Sequence, residues 1–247
     1  MTPIVLIPAR MAARRLPGKP LADIGGSRMI VRVWRRAVEA GVGPVVVAAG
    51  DAEIVAVIEA AGGRAVLTEP DLPSGSDRIL QALTRLDPHG RHDAVINLQG
   101  DMPFVPPSVL AACADLLNQQ ASCDIATVAA PEMSPADRSN PDVVKAVLAM
   151  NGAGTRGQAL YFTRSTLWGE GPVWRHVGIY GYRRDALERF NAAPPSPLER
   201  REGLEQLRAL EMGLTIWAAI VDAAPISVDT PTDLAVARAH AAGLPET

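Results

Sequence analysis

The chain has 247 residues, of which 48% are hydrophobic and 21% are charged, and its formal net charge at pH 7 is −3. This length suffices for one sizeable α/β core with a small appended lobe, and the composition is that of an ordinary globular protein. The slightly negative charge excludes the global basic field that recruits nucleic acid. Because no apolar stretch approaches the roughly 20 residues needed to span a bilayer, we also expect no membrane insertion.

The cysteines and histidines give no sign of a metal or disulfide framework. Cys113 and Cys123 form no CxxC pair, and the four histidines are scattered along the chain. This pattern argues against a zinc site and against a disulfide scaffold. We therefore expect a reduced, cytoplasmic compartment.

Apolar runs alternate with amphipathic stretches through the first half of the chain. The predicted elements are strands over 4–7, 45–48, 65–67, 94–98 and 125–128, separated in turn by helices over 29–40, 51–61, 76–86 and 107–117. Repeated β-α-β units whose strands are apolar on both faces predict an α/β fold with a doubly wound, mostly parallel sheet. Ligands of such sheets bind at the carboxyl ends of the strands.

The alternation stops after Pro131. The remaining predicted elements are strands over 143–149, 158–162 and 176–182, helices over 184–191 and 201–212, a strand over 215–220 and a helix over 231–242. We interpret 131–225 as a smaller inserted α+β subregion that carries a second substrate, an oligomer interface or both. Residues 1–130 and 226–247 form the core of the same single domain.

The loop after the first predicted strand is rich in cations. Arg10, Arg14, Arg15 and Lys19 lie within ten residues, and Gly18 allows the backbone to approach a ligand closely. Arginine makes forked contacts with phosphate oxygens, and lysine acts as a point charge. The loop is not a Walker A motif, because its Gly-Lys is followed by proline and the upstream glycine is missing. A polyphosphate site is favoured here over a solvated basic loop.

Two carboxylates follow predicted strands. Asp101 ends the polar cluster Asn97-Leu-Gln99-Gly-Asp101 after a buried strand, and Asp229 directly precedes the last helix. Mg²⁺ prefers one or two protein carboxylates together with phosphates and waters, so Asp101 is well placed to hold a metal on a triphosphate. Each residue could also cap the turn or helix that follows, and for Asp229 both roles can hold together.

Two further segments carry weaker signals. Residues 73–78 open a predicted helix, whose free N–H groups can bind a base edge or a phosphate, although Ser or Asp at that place is usually a cap. Residues 152–157 satisfy G-x-G-x-x-G, but they lie outside a clear βαβ unit and no acidic residue follows about 20 residues later. We interpret the second segment as a glycine-rich turn.

Taken together, these segments resemble the nucleotidyltransferases that activate acidic sugars with CTP, most closely the 3-deoxy-manno-octulosonate (KDO) cytidylyltransferase family. The likeness is collinear and spans nearly the whole chain. The matching segments are residues 7–10 (IPAR), 15–21 (RLPGKPL), 74–78 (SGSDR), 99–101 (QGD), 159–164 (ALYFTR), 175–182 (RHVGIYGY), 196–199 (SPLE), 204–208 (LEQLR) and 228–231 (VDTP).

The resemblance implies a Rossmann-like nucleotidyltransferase fold and transfer of CMP from CTP to the anomeric hydroxyl of KDO, with release of pyrophosphate, for lipopolysaccharide synthesis. It implies that CTP is bound by Arg10, Arg15, Lys19, Ser74, Gly75, Arg78 and Gln99. It implies that Asp101 and Asp229 ligate Mg²⁺ and, with Arg15 and Lys19, form the catalytic set. It implies that the sugar is bound by Gln99, Arg164, His176, Tyr180, Glu205 and Gln206. The family is homodimeric, and 131–225 would supply much of the contact.

His176 is also a candidate general base, although a role as a hydrogen-bond donor to the sugar is favoured. Three positions depart from the family pattern. Ala13 stands where serine is usual, Met102 stands where glutamate is common, and the stretch over 165–174 is short and lacks the Ile-Pro-Trp spelling.

Alternatives remain for the substrate and for the activity. The sugar could be 8-amino-KDO or a sialic acid, although sialic-acid enzymes open with a loop spelled like R-G-G-S-K-G. Uridylyl- and guanylyltransferases typically carry a G-x-G-T-R loop after the first strand. A non-catalytic sugar-nucleotide-binding protein is a distant alternative, because Asp101 and Asp229 are both present.

Overall fold

The computed structural model describes residues 1–13, 15–132 and 134–243. These residues form two compact units. The N-terminal unit comprises residues 2–92, 97–108 and 225–243, and the central unit comprises residue 1, residues 93–96 and residues 109–224, with the gaps given above. Among the described residues, none of the helices has the length and apolar character that crossing a membrane requires.

The order of strands and helices follows the predicted alternation closely. In chain order the elements are β1 (Pro3–Ala9), a 3₁₀ helix (Lys19–Leu21), β2 (Asp23–Ile24), β3 (Ser27–Arg28), α1 (Met29–Glu39), β4 (Val45–Ala49), α2 (Ala52–Ala60), β5 (Arg64–Leu67), α3 (Gly75–Leu86), β6 (Ala94–Asn97), α4 (Pro107–Gln119), β7 (Ile125–Pro131), a second 3₁₀ helix (Pro135–Arg138), β8 (Lys145–Met150), β9 (Arg156–Thr163), β10 (Trp174–Arg183), α5 (Arg184–Ala192), α6 (Pro197–Glu202), α7 (Gln206–Glu211), β11 (Ile216–Ile220) and α8 (Pro231–Ala242).

The single helix predicted over 201–212 is wrong. Helix α6 ends at Glu202 and is followed by its cap Gly203, which adopts a left-handed conformation with φ of 64°, and a separate helix, α7, begins at Gln206. Glycine at the end of a helix is a common stop signal, since it takes this conformation without a steric penalty. The chain therefore turns at Gly203 instead of continuing as one helix.

The N-terminal unit is built on parallel strands in the order β5-β4-β1. Strands β1 and β4 are buried along nearly their whole length, whereas β5, at the end of this order, is more exposed. Helices α1 and α2 connect these strands in βαβ fashion, as predicted. The apolar alternation in the sequence thus places the carboxyl ends of β1 and β4 at one edge, where the loops that follow them meet.

The central unit has a different sheet. Its strand order is β6-β10-β7-β11-β9-β8, and β8 also pairs with β10. The pairs β7–β10, β10–β8, β8–β9, β9–β11 and β11–β7 therefore close a ring, in which β7–β11 is parallel and the other pairs are antiparallel. Strand β7, which was predicted as part of the mostly parallel sheet, pairs antiparallel with β10 and parallel with β11. The other four strands of the ring lie in the predicted α+β subregion, where short connections such as the turn between β8 and β9 join antiparallel neighbours.

The central unit begins earlier in the chain than the predicted subregion of 131–225. It includes residues 109–130 and ends at residue 224. The physical reason lies in strand β7, which pairs with β10 and β11 of the ring and so belongs with them. Pro131, after which the alternation of apolar and amphipathic segments stops, is the last residue of that strand.

Arg183, at the end of β10, holds the segment that follows α4. Its Nε donates to the Cys123 carbonyl at 2.8 Å, and its Nη2 donates to the carbonyls of Leu117 at 3.2 Å and Gln120 at 3.3 Å. The last carbonyls of a helix have no partner within it, and a cationic side chain can satisfy them. Arg183 therefore fixes the end of α4 and the approach to β7.

We expect Arg183→Met to lower the free energy of unfolding by about 2 kcal/mol, because it removes several hydrogen bonds from a charged group to carbonyls. Arg189→Met is the matched control. Arg189 is 53% exposed, and its ion pairs among the described residues are with Asp124 and Asp185, so its loss should cost less than about 1 kcal/mol. Urea denaturation of both variants checks the expectation, and equal losses would contradict it.

Candidate active site

The basic loop after β1 is a compact turn organised around Met11. The Met11 carbonyl accepts hydrogen bonds from the N–H groups of Ala13 at 2.9 Å and Gly18 at 3.1 Å. Gly18 adopts a left-handed conformation with φ of 72° and directly precedes the 3₁₀ helix that Lys19 begins. The turn thus fixes the backbone from which Lys19 projects. Arg14 lies outside the described residues.

A cavity of about 270 Å³ lies at this loop, within the N-terminal unit. Seven of the nine residues predicted for CTP and metal line it, namely Arg10, Lys19, Ser74, Gly75, Arg78, Gln99 and Asp101. Gly100 also lines it, and a Cβ at that position would lie 2.9 Å from the Pro8 carbonyl oxygen. Glycine is therefore required at position 100 for the two backbones to approach each other.

Lys19 lies between the two predicted metal-binding carboxylates. Its Nζ is 3.2 Å from Asp101 Oδ2 and 2.9 Å from Asp229 Oδ1. Arg15 Nη2 reaches the other oxygen of Asp229 at 3.0 Å. The backbone reinforces this pairing, because the Asp101 carbonyl accepts the Val228 N–H at 2.9 Å. The structure thus brings together all four residues predicted to be catalytic.

The ionisation of this cluster follows from burial and charge. Burial opposes the charge of Lys19, but Asp101 and Asp229 outweigh it and raise the Lys19 pKa above its ordinary value. Burial raises the pKa of Asp101, and Lys19 opposes that rise. Among the described residues, Asp101 Oδ1 is a buried oxygen without a hydrogen-bond partner.

The donor set fits a Mg²⁺ ion that takes most of its ligands from elsewhere. Two carboxylates converge on the Lys19 ammonium, and Asp101 Oδ1 has no hydrogen-bond partner in the described part of the chain. No group of three or more His, Cys, Asp or Glu side chains within the described ranges could hold a metal. Two carboxylates completed by phosphate oxygens and water are the usual arrangement for Mg²⁺.

The residues predicted to lie near the base also stabilise the local structure. The Ser74 hydroxyl accepts the Asp77 N–H at 3.1 Å and so caps α3. Arg78 is only 2% exposed, and its guanidinium donates to the Thr68 hydroxyl and to the carbonyls of Glu69 and Pro70. Burial, and then Arg10, lower its pKa. Arg78 therefore fixes the wall of the cavity that it lines.

The residues predicted to bind the sugar, Gln99 excepted, lie in the central unit. The ring of His176 is 4.9 Å from that of Phe162 and 5.5 Å from that of Tyr180, measured between centroids. Burial lowers the pKa of His176 to about 4. Burial, and then Glu205, raise the pKa of Tyr180. Both side chains are therefore neutral at pH 7.

Arg164, Glu205 and Gln206 differ in how many of their polar atoms have hydrogen-bond partners. The Arg164 guanidinium donates to the carbonyls of Glu202 at 3.1 Å and Pro141 at 2.9 Å. Glu205 accepts from Arg208 at 3.3 Å. Gln206 is 5% exposed, and its Nε2 is a buried donor without a partner among the described residues. An unpartnered buried amide is costly and fits a residue that completes its hydrogen bonds with a ligand.

Two residues of structural importance were not predicted. Asp51 stands where it could cap α2, but its Oδ2 instead accepts the Met11 N–H at 2.8 Å. Lys145 is fully buried and donates to the carbonyls of Asn140 at 2.9 Å and Arg164 at 2.7 Å. Burial lowers its pKa. Asp51 follows a buried strand, as Asp101 does, and this position in the sequence could have identified Asp51 as a residue of the site.

The fold and the site define a nucleotidyltransferase, and comparison with known proteins specifies its kind. A family model described as cytidylyltransferase matches residues 4–216. The 3-deoxy-manno-octulosonate cytidylyltransferases of Parvibaculum lavamentivorans and Methylobacterium radiotolerans are 58% and 59% identical to this chain over 238 residues, which is 96% of the chain and 92% and 96% of those proteins. The chain belongs to the 3-deoxy-manno-octulosonate cytidylyltransferase family.

Solved structures show the same likeness. A CMP:2-keto-3-deoxy-manno-octonic acid synthetase complexed with CTP matches with a TM-score of 0.89 and 37% identity, over 98% of this chain and 99% of that one. A cytidylyltransferase from Leptospira borgpetersenii matches with a TM-score of 0.66 and 17% identity, over 100% of this chain and 89% of that one, which shows a shared fold.

We expect Asp51→Ala to raise the KM for CTP about tenfold with a smaller effect on kcat, because the loop that carries Arg15 and Lys19 loses its anchor at Met11. Asp51→Asn keeps an acceptor oxygen and should restore most of the affinity. Glu53→Ala, in the exposed first turn of α2, is the control for effects on that helix. Steady-state kinetics with varied CTP check this, and an Asp51→Ala enzyme with an unchanged KM would contradict it.

Proposed function

We propose that this chain transfers CMP from CTP to the anomeric hydroxyl of KDO and releases pyrophosphate, as a step of lipopolysaccharide synthesis. The observation that carries the proposal is the cluster of Lys19, Arg15, Asp101 and Asp229 beside a cavity lined by the predicted CTP residues. The names of the relatives support KDO as the sugar, and the structural neighbour complexed with CTP supports the nucleotide.

The cationic residues suit a reaction that depends on positioning and charge neutralisation. Displacement at phosphorus by the sugar hydroxyl needs little covalent help from the protein. The Lys19 ammonium has three protons, of which Asp101 and Asp229 take two, so one is left for a phosphate oxygen. Arg15 is 61% exposed and uses one of its donors on Asp229, so its others can meet the departing pyrophosphate.

Asp101 and Asp229 would hold Mg²⁺ in this scheme. A bound Mg²⁺ neutralises phosphate charge and lowers the pKa of a hydroxyl group that it contacts. The carboxylates position that charge, and Lys19 compensates them when they bind no metal. Met102, where the family commonly has glutamate, is buried and adds no carboxylate here.

In the central unit, Gln206 Nε2 has no hydrogen-bond partner among the described residues, which supports a role in binding the polar sugar, together with Arg164, His176, Tyr180 and Glu205. The pKa of His176, about 4, argues against its serving as a general base at neutral pH.

We also propose a cytoplasmic homodimer whose N-terminal unit is a doubly wound, Rossmann-like nucleotide-binding layer. The order β5-β4-β1 with its connecting helices supports that architecture. Two large apolar side chains of the central unit, Leu160 and Trp168, are 60% and 89% exposed, which supports an interface there with a second copy of the chain. The free, buried thiols Cys113 and Cys123 suit a reducing compartment.

A pyrophosphate-release assay tests the function directly. CTP, UTP, dTTP and ATP are each combined with KDO, 8-amino-KDO and N-acetylneuraminate in the presence of Mg²⁺. We expect the highest kcat/KM with CTP and KDO. Faster release with another acidic sugar would reassign the substrate, and no release with any pair would favour a non-catalytic binding protein.

We expect Asp101→Asn and Asp229→Asn each to lower kcat by about 100-fold or more, because each amide keeps the shape of the side chain and removes the charge that holds Mg²⁺. Asp222→Asn, at an exposed position of the central unit, is the control. Calorimetric titration of Mg²⁺ into the enzyme with CTP should show weaker binding in the first two variants. Near-normal activity of either would overturn the metal assignment.

A further inference from the structure

Thr127 is a fully buried polar residue in strand β7 of the central ring. Its Oγ1 lies 3.0 Å from His176 Nε2, 2.8 Å from the Ile179 carbonyl oxygen and 3.3 Å from the Val177 carbonyl oxygen. One hydroxyl thus joins the imidazole of His176 to the backbone of the strand that carries it. The reaction proposed above assigns no role to Thr127.

The strand pairing explains why a hydroxyl is needed at this place. Val177 pairs with Val128, but the next pair joins Tyr180 to Thr127, so Gly178 and Ile179 are extra residues on β10. Such a β-bulge interrupts the ladder of backbone hydrogen bonds. The Thr127 hydroxyl lies within hydrogen-bond distance of the carbonyls of Val177 and Ile179 at the interruption and so fixes the bulge between His176 and Tyr180.

Counting protons then determines the state of His176. A hydroxyl has one proton, and a carbonyl oxygen can only accept. The Thr127 and Ile179 oxygens are 2.8 Å apart, so the Thr127 proton must lie between them. Thr127 therefore accepts from His176 Nε2, which must carry the proton of a neutral imidazole.

We propose that Thr127 is a positioning residue that holds His176 as its Nε2–H tautomer, so that His176 Nδ1 accepts a hydrogen bond from a hydroxyl group of the sugar. The second half of this proposal rests on the proposed function, since it takes His176 as a sugar-binding residue. The contact with Thr127 occupies Nε2, which leaves Nδ1 as the other nitrogen of the ring. In this arrangement His176 accepts from the sugar, whereas the sequence favoured a donor.

Two further features keep the imidazole in this state. The rings of Phe162 and Tyr180 pack against it, with centroids 4.9 and 5.5 Å away, and oppose a flip that would exchange the two nitrogens. Burial keeps the pKa of His176 near 4, so the ring remains neutral at pH 7. A neutral acceptor favours a hydroxyl over a carboxylate, which distinguishes the two kinds of polar group on an acidic sugar.

The tautomer is tested without substrate, by ¹⁵N NMR of the histidine side chains at pH 7. We expect a protonated Nε2 and an unprotonated Nδ1 for His176, assigned by comparison with His176→Gln. Thr127→Val keeps the size of the side chain but should yield a mixture of tautomers, and Thr127→Ser should restore the wild-type signal. Thr163→Val removes another buried hydroxyl from the ring of strands in the central unit and should leave the His176 signal unchanged.

The contact with the sugar is tested by kinetics. We expect Thr127→Val to raise the KM for KDO several-fold, up to about tenfold, and to leave the KM for CTP unchanged, with Thr127→Ser close to wild type. A protonated Nδ1 in the wild-type protein, or a tautomer that Thr127→Val does not alter, overturns the proposal. An altered tautomer with an unchanged KM for KDO overturns the sugar contact. An enzyme that does not use KDO contradicts the proposed function, while the NMR result still decides the role of Thr127.

Discussion

The ammonium of Lys19, shared by the carboxylates of Asp101 and Asp229, joins three segments that are distant in the sequence. Two carboxylates at one partly buried position repel each other and lose hydration, so the arrangement requires a cation between them. Lys19 meets that requirement. The electrostatic cost of bringing the two carboxylates together is thus compensated within the folded chain.

The surrounding backbone serves to keep this cation in place. Gly18 ends the basic turn in a conformation that glycine adopts easily, Asp51 anchors the turn through the Met11 N–H, and the Asp101 carbonyl accepts the Val228 N–H. The last two contacts join segments that follow the carboxyl ends of strands or lead into a helix. The parallel strands of the N-terminal unit thus act as a scaffold that brings these loops together. Ligands of parallel α/β sheets generally bind at the carboxyl ends of the strands.

The sequence permitted prediction of the strands and helices of this unit, because their apolar periodicity is strong and burial on both faces of β1 and β4 leaves few alternatives. The collinear motifs also pointed to the residues that line the cavity. The bonds of Lys19 to carboxylates were not predictable, since the composition of a loop shows that cations are present and not which anions they meet. The ring of the central unit and the bulge beside His176 were missed for a related reason, because strand partners and register depend on tertiary pairing.

The two groups of proposed site residues set their protonation by opposite means. Lys19 stays charged although it is largely buried, because the attraction of two carboxylates exceeds the cost of desolvation. His176 is neutral because burial disfavours its charged form, and the hydroxyl of Thr127 supplies a neutral hydrogen bond. Charged groups suit a triphosphate, whose own charge must be neutralised. A neutral acceptor suits a sugar hydroxyl, since a cationic imidazole there would be attracted to the carboxylate of an acidic sugar and could turn the molecule away from the productive orientation.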